Sequence, residues 1–183
     1  MTRQEEVAVL LGREDLLHQQ LRVLLLVNAV AQLPGNAGKL DGLTKLAKLD
    51  FIARYPALAA KICRELGIEE VAIVSVSAPT ASPMVRYRYG PWDDQYYPVI
   101  GALVGRGLSR YAAGRKGSVG LAPTASGREL EARLRSDPEW AEIASHYDEI
   151  ARTFGTLSGN KLKQAIYAAL PELLDMPYRT ELR

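Results

Sequence analysis

Between Met84 and Leu121 the spacing of apolar side chains changes repeatedly, and each change predicts a new element. Val85, Tyr87 and Tyr89 alternate with Arg86 and Arg88, the period of a strand, and Gly90-Pro91-Trp92 then reads as a turn. Tyr96, Tyr97, Ile100, Leu103 and Val104 fall on one face of a helix. Gly107 follows where a helix ends most easily in a left-handed residue. Leu108–Tyr111 and Ser118–Leu121 read as short strands about the turn Gly114-Arg115-Lys116-Gly117. Ser126, with Glu129 three residues on, has the sequence of a capping box opening the next helix. Helix, Gly-Leu, strand, basic turn, strand, helix is the layout of a winged helix-turn-helix. The expected fold class is therefore mainly α with a small β-wing, a winged helix-turn-helix embedded in a helical domain.

The flanks read as helices. Thr2–Leu11 predicts a short one ending near Gly12, and Asp15 caps the next, whose apolar face is Leu16, Leu17, Leu21, Leu24, Leu25 and Val30. From Leu43 to Ala53 so little is polar that burial on more than one side is expected. Asp50 and Arg54 stand one turn apart and predict an ion pair bracing this helix against the winged element. Lys45 and Lys48 point the other way and are expected in solvent. Pro56 restarts the chain into a helix Ala57–Leu66, closed by Gly67. Ile68–Val76 reads as helix or irregular strand, and Ser77–Pro83 as a connection. Pro138 opens a helix through Trp140, Ile143, Ala144, Tyr147 and Ile150, ended by Gly155. Ser158 starts another through Leu162, Ala165, Ile166, Ala169 and Leu170, and the tail from Leu173 reads as an extended arm. The division expected is residues 1–82 as an N-terminal helical part, 83–135 as the winged element and 136–183 as C-terminal helices, all in one compact unit.

Composition narrows the function. With 183 residues, 48% hydrophobic and 24% charged, the chain has the make-up of one globular domain. Its 23 basic against 21 acidic residues give a formal charge of +2, too little to imply nucleic acid by itself. The single cysteine, Cys63, has no internal disulfide partner and sits in the helical pattern Ala59, Ile62, Leu66 as a core residue. The longest apolar run, Val23–Val27, is too short to span a bilayer, and the N-terminal residues do not read as a secretory signal. The expected location is the cytoplasm, with no membrane partner.

Catalytic chemistry finds little footing. The loop Gly35-Asn36-Ala37-Gly38-Lys39 resembles a phosphate loop but lacks the Walker spacing, and Leu40 follows where Ser or Thr is required. His18 and His146 have no partner at metal-ligand spacing, and no nucleophile elbow is present. Asp93-Asp94 reads as a helix cap rather than an acid–base pair. The expectation is a protein with no catalytic residues, metal, cofactor or small-molecule substrate. Base readout in DNA requires long polar side chains on the recognition helix. Opposite Ile100 and Val104 lie Pro98, Gly101, Ala102, Gly105 and Arg106, a face of small residues with one arginine that suits packing against protein. Arg110, Arg115, Lys116 and Arg128, with Arg133 and Arg135 nearby, are the candidates for phosphate contact. Among the crowded aromatics, Tyr96 and Tyr97 are expected in the core, with Trp92, Arg86 and Arg88 as candidate partner contacts.

Three strings carry a family resemblance: Lys45–Pro56 (KLAKLDFIARYP), Met84–Asp93 (MVRYRYGPWD) and the Y-Y-x-x-I-x-x-L-x-x-R-G-L pattern of Tyr96–Leu108. Together they resemble the middle component of bacterial three-component anti-phage defence systems built around an ABC/SMC-type ATPase, including Lamassu-like loci. The resemblance extends over Leu24 to Leu134. A looser similarity, in the K-L-x-K-L helix and the Y-G-P turn, is to SocA-like antitoxin domains. The closer resemblance implies a non-enzymatic subunit that binds the ATPase and couples it to a nuclease-type effector, with DNA reached through the complex. It brings no catalytic residues. The alternatives are a winged-helix DNA-binding regulator and an antitoxin-like neutralising protein.

Overall fold

A computed structural model describes the backbone over residues 3–68 and 83–182 and, within them, the side chains from residue 16 onward. The element expected over Ile68–Val76 and most of the connection Ser77–Pro83 lie outside the described residues. Helix α1 (Arg3–Ala31) is continuous for 29 residues, so neither Gly12 nor Asp15 divides it as the sequence suggests. An interior glycine costs a helix only about 1 kcal/mol, and extending an existing helix needs no new nucleus. From Arg22 to Ala31 every residue is buried, which makes this half of α1 the axis of the fold.

Packed on that axis are α4 (Tyr96–Gly105), β4 (Val119–Pro123), α5 (Ala125–Ser136) and α6 (Pro138–Phe154). Helix α2 (Leu43–Arg54) lies against α1, α6 and α7 (Gly159–Ala169), and α3 (Pro56–Leu66) covers α7. This enclosure buries every residue of α2 from Lys45 to Ala53, as its all-round apolar sequence predicts. Gly67 ends α3 at φ 65°, and Asp137 and Ser158 cap α6 and α7 by accepting from the backbone N–H groups of Glu139 and Lys161.

Two small antiparallel sheets complete the described residues. Strand β3 (Ser109–Ala113) pairs with β4, placing Ser109 opposite Pro123 and Tyr111 opposite Leu121. Strand β1 (Val85–Tyr87) pairs with β2 (Gly90–Trp92). The turn therefore falls on Arg88-Tyr89, and Gly-Pro-Trp forms the returning strand instead of the turn itself. Gly90, at φ 116°, supplies the conformation that this tight return needs. The C-terminal segment is not simply extended either. It forms a short helix α8 (Glu172–Asp175), and residues 180–182 then dock on the free edge of β1 through Arg86 N–H to Thr180 O (2.8 Å) and Leu182 N–H to Met84 O (2.7 Å). The described chain is thus mainly helical with two small two-stranded antiparallel sheets.

The hairpin and α5 are fixed to the end of α4 by one junction. Gly107 (φ 68°) and Leu108 return N–H bonds to Val104 and Leu103 and close α4. Thr124, not Ser126, caps α5: leaving β4 in an extended conformation, it has the backbone that a cap requires. Its Oγ1 accepts from Gly127 N–H (3.0 Å) and donates to Gly107 O (2.6 Å). Gly127 sits so close that an added Cβ falls 1.9 Å from the Leu108 carbonyl oxygen, which is backbone and has nowhere to go. Gly127→Ala is therefore expected to destabilise the fold by about 3 kcal/mol, read from the midpoint of urea unfolding.

Candidate functional site

Helix α4 is held in place by a buried charge network. Asp50 on α2 forms an ion pair with Arg54 (2.8 Å) and accepts from the hydroxyls of Tyr96 on α4 (2.6 Å) and Tyr147 on α6 (3.0 Å). Arg54 also pairs with Asp93 at 2.8 Å, and Gln19 of α1 donates to the same carboxylate at 2.7 Å. The side chains of Asp50, Arg54 and Asp93 are 1%, 3% and 4% exposed, so the expected Asp50–Arg54 pair forms and is fully interior. Asp93 does accept from Gln95 N–H ahead of α4, but its larger role is as a second counter-ion to Arg54. Asp94 faces solvent, bound at both oxygens by Arg179 (2.8 and 2.6 Å). Burial opposes ionisation of Asp50, yet the Arg54 and Arg22 guanidinium groups and the two tyrosine hydroxyls hold its carboxyl below the usual range. Burial and the adjoining Asp50 carboxylate push both tyrosines above the usual phenol range.

With α4 fixed, Tyr96, Val99, Ile100 and Leu103 face inward. Tyr97 is rotated out of the apolar face and is 67% exposed, contrary to the core position expected of it. Gly101, Gly105 and Arg106 are exposed and Ala102 half-buried, and a Cβ added at either glycine meets nothing within 4 Å. Tyr97, Gly101 and Gly105 recur every four residues, so one outward strip of the helix begins with an aromatic ring and continues smooth.

Tyr97 also borders a cleft of about 270 Å³, lined by Leu43, Thr44, Lys48, Tyr87, Tyr89, Gly90, Pro91 and Trp92. Trp92 is only 8% exposed, its ring 5.2, 5.6 and 6.0 Å from those of Tyr96, Tyr97 and Tyr87; it forms the cleft wall and is not the projecting anchor that the sequence suggested. The projecting rings are Tyr87, Tyr89 and Tyr97. Arg88 is exposed, lying 5.4 Å from the Tyr89 ring centre. Arg86 turns inward to the Leu173 and Leu174 carbonyls and over the Tyr178 ring, bracing α8.

Lys45 and Lys48 are not solvated: they are 6% and 3% exposed. No polar face exists on α2 because α6, α7 and β2 surround it. Lys45 donates to Gly155 O (2.6 Å) and Lys48 to Thr44 O (3.0 Å). Burial, reinforced by the charge of Lys163, lowers the Lys48 ammonium to a pKa of about 8. Burial also lowers that of Lys45, against the pull of Asp41. Lys45 borders a second cleft of about 390 Å³ that the Gly35–Lys39 loop lines with Asp41, Arg115 and Ser158.

The basic candidates are dispersed. Arg110, Arg115 and Lys116 are exposed on β3 and at the hairpin turn, with Arg115 3.6 Å from Asp41. Arg128 is exposed and donates to Pro123 O at 3.3 Å. Arg133 is exposed, whereas Arg135 is taken up by Glu131 and Asp148. Cys63 is buried, and among the described residues no group of three or more His, Cys, Asp or Glu could hold a metal. Among the described residues no helix is long and apolar enough to cross a membrane. No protein-family model, curated protein or solved structure matches this chain.

Two substitutions test this electrostatic layout. Asp50→Ala strips Arg54, Tyr96 and Tyr147 of an acceptor and is expected to cost at least about 3 kcal/mol by denaturant unfolding. Because the Asp50 pKa is depressed, its contribution is present above about pH 3.8 and lost as pH falls through the lower folded value. Lys48 has the opposite sign. Its pKa is depressed for a base, so its cost is full below about pH 8 and fades between there and about 10.5. Lys48→Met is expected to stabilise the protein by about 1–2 kcal/mol at pH 7, the gain shrinking toward pH 10.5 in thermal unfolding.

Proposed function

We propose that this chain is a non-catalytic accessory subunit that docks a partner protein on the outward strip of α4 and the adjoining aromatic cleft. The observation that carries this reading is the strip itself, on which exposed Tyr97 stands in line with the open Gly101 and Gly105. Tyrosine and arginine are frequent interface anchors, and a helix flank without side chains admits a neighbouring backbone closely. Here exposed Arg106 follows the C-terminal end of the strip, and Arg88 is exposed beside the Tyr89 ring of the cleft. We further infer that α4, β3, β4 and α5 form a winged helix-turn-helix whose helix serves protein contact. The resemblance of the sequence supplies the partner: an SMC/ABC-type ATPase of a bacterial anti-phage defence complex, which this subunit couples to an effector. A neutralising antitoxin-like role uses the same surface.

The second reading, DNA binding, is favoured by Arg115 and Lys116 exposed at the hairpin turn. It is disfavoured on α4, where Arg106 is the only long basic side chain on the outward flank. Under this alternative the purified chain alone binds duplex DNA with steep salt dependence, abolished in Arg115→Ala/Lys116→Ala.

Gly101→Arg is a clean probe because open space surrounds the position, so the fold accommodates the side chain. Gly101→Arg and Tyr97→Ala are each expected to weaken co-purification with the ATPase encoded alongside by about 10-fold or more, equivalent to about 1.4 kcal/mol, with unfolding midpoints unchanged or higher for Gly101→Arg. Retained assembly and phage protection in both variants would falsify the reading.

A further inference from the structure

The cleft beside α4 contains a charge that the described residues leave unanswered. Arg54 meets two carboxylates, Arg135 meets two, Arg22 acts on Asp50, and Lys45 feels Asp41. Lys48 is as buried as any of them, yet its one hydrogen-bond acceptor among the described residues is the Thr44 carbonyl. Its charged neighbour is another cation, Lys163. An ammonium donates three hydrogen bonds, so two of the three go unused toward the described residues. Burying a cation without a counter-charge is costly, and a carboxylate arriving from outside offsets that cost.

The surroundings define what the carboxylate is attached to. Leu43, Pro91, Trp92 and three partly exposed tyrosines line the cleft, a lining that takes up apolar side chains or proline. At about 270 Å³ it holds a side chain or two rather than a folded element. We propose that the cleft receives an extended segment of the partner protein in which Asp or Glu, flanked by an aromatic, leucine or proline residue, presents its carboxylate to Lys48. The proposal rests on the partner-binding reading above and names the chemistry of the segment. The cation in the lining selects an acidic segment over a basic one, and Arg88, exposed beside the Tyr89 ring, has the same sign.

The test uses the full chain and capped synthetic heptapeptides with Phe, Leu or Pro on either side of a central Glu, each with its Gln twin. Binding is followed through the indole N–H resonances of Trp92, in the cleft wall, and Trp140, which lies against His18. The expected result is that at least one Glu peptide shifts Trp92 and not Trp140 and binds about 10-fold tighter than its Gln twin. Lys48→Met, which stays folded, is expected to bring the two affinities together. Equal binding of the twins, preference surviving in Lys48→Met, or no shift of Trp92 by any peptide overturns the proposal. The parent reading fails separately: selective Glu-peptide binding with no effect of Gly101→Arg on assembly leaves the cleft assignment standing alone, and the reverse pattern leaves the subunit reading without this segment chemistry.

Discussion

A single interior carboxylate, Asp50, sets the geometry of this molecule. Three elements reach it: Arg54 from its own helix, Tyr96 from α4 and Tyr147 from α6. Arg54 then carries the connection on to Asp93, where Gln19 of the axial helix α1 joins. None of these groups is left in water, so each depends on the others for its hydrogen bonds, and a shift of any one helix leaves a charge or hydroxyl stranded. Apolar packing alone tolerates sliding; a network of this kind does not. It explains why α4 is clocked with Tyr96 inward and Tyr97 outward, and so why the strip of Gly101 and Gly105 faces solvent.

The two lysines of α2 show the other side of the same physics. Both were drawn inside by a helix that is enclosed on every side, but only Lys45 gains help from an acidic neighbour. Lys48 remains at the base of an aromatic cleft, desolvated and repelled by Lys163. A network that is closed on itself is structural. A buried charge that is not closed marks where the protein has electrostatic free energy to exchange with something else.

Much of this was legible in the amino-acid order. The i, i+4 spacing of Asp50 and Arg54, Gly67 and Gly107 as helix ends, and Pro138 and Ser158 as helix starts follow local rules, and the structure obeys them. The strands about Gly114–Gly117 also fall within a residue or two of where alternation places them. What escaped was decided by distant contacts. The exposure of Tyr97 depends on Tyr96 finding Asp50; the burial of Lys48 depends on α6, α7 and β2 closing round α2. The capping residue of α5 is Thr124 and not Ser126 because β4 delivers Thr124 in an extended conformation beside the Gly107 carbonyl. One sign was available: LTKLAKLDFIAR has apolar residues all round, which leaves its lysines no solvent side.

The docking of residues 180–182 along β1 has a bearing on how visitors are received. That segment occupies the outer main-chain groups of β1, and on the opposite strand Pro91 has no N–H to offer. The β1–β2 sheet is therefore closed to strand addition, a route on which main-chain hydrogen bonds rather than side chains supply the affinity. On the docking reading proposed above, whatever comes to this side of the molecule is held by rings and charges, whose identity it has to match.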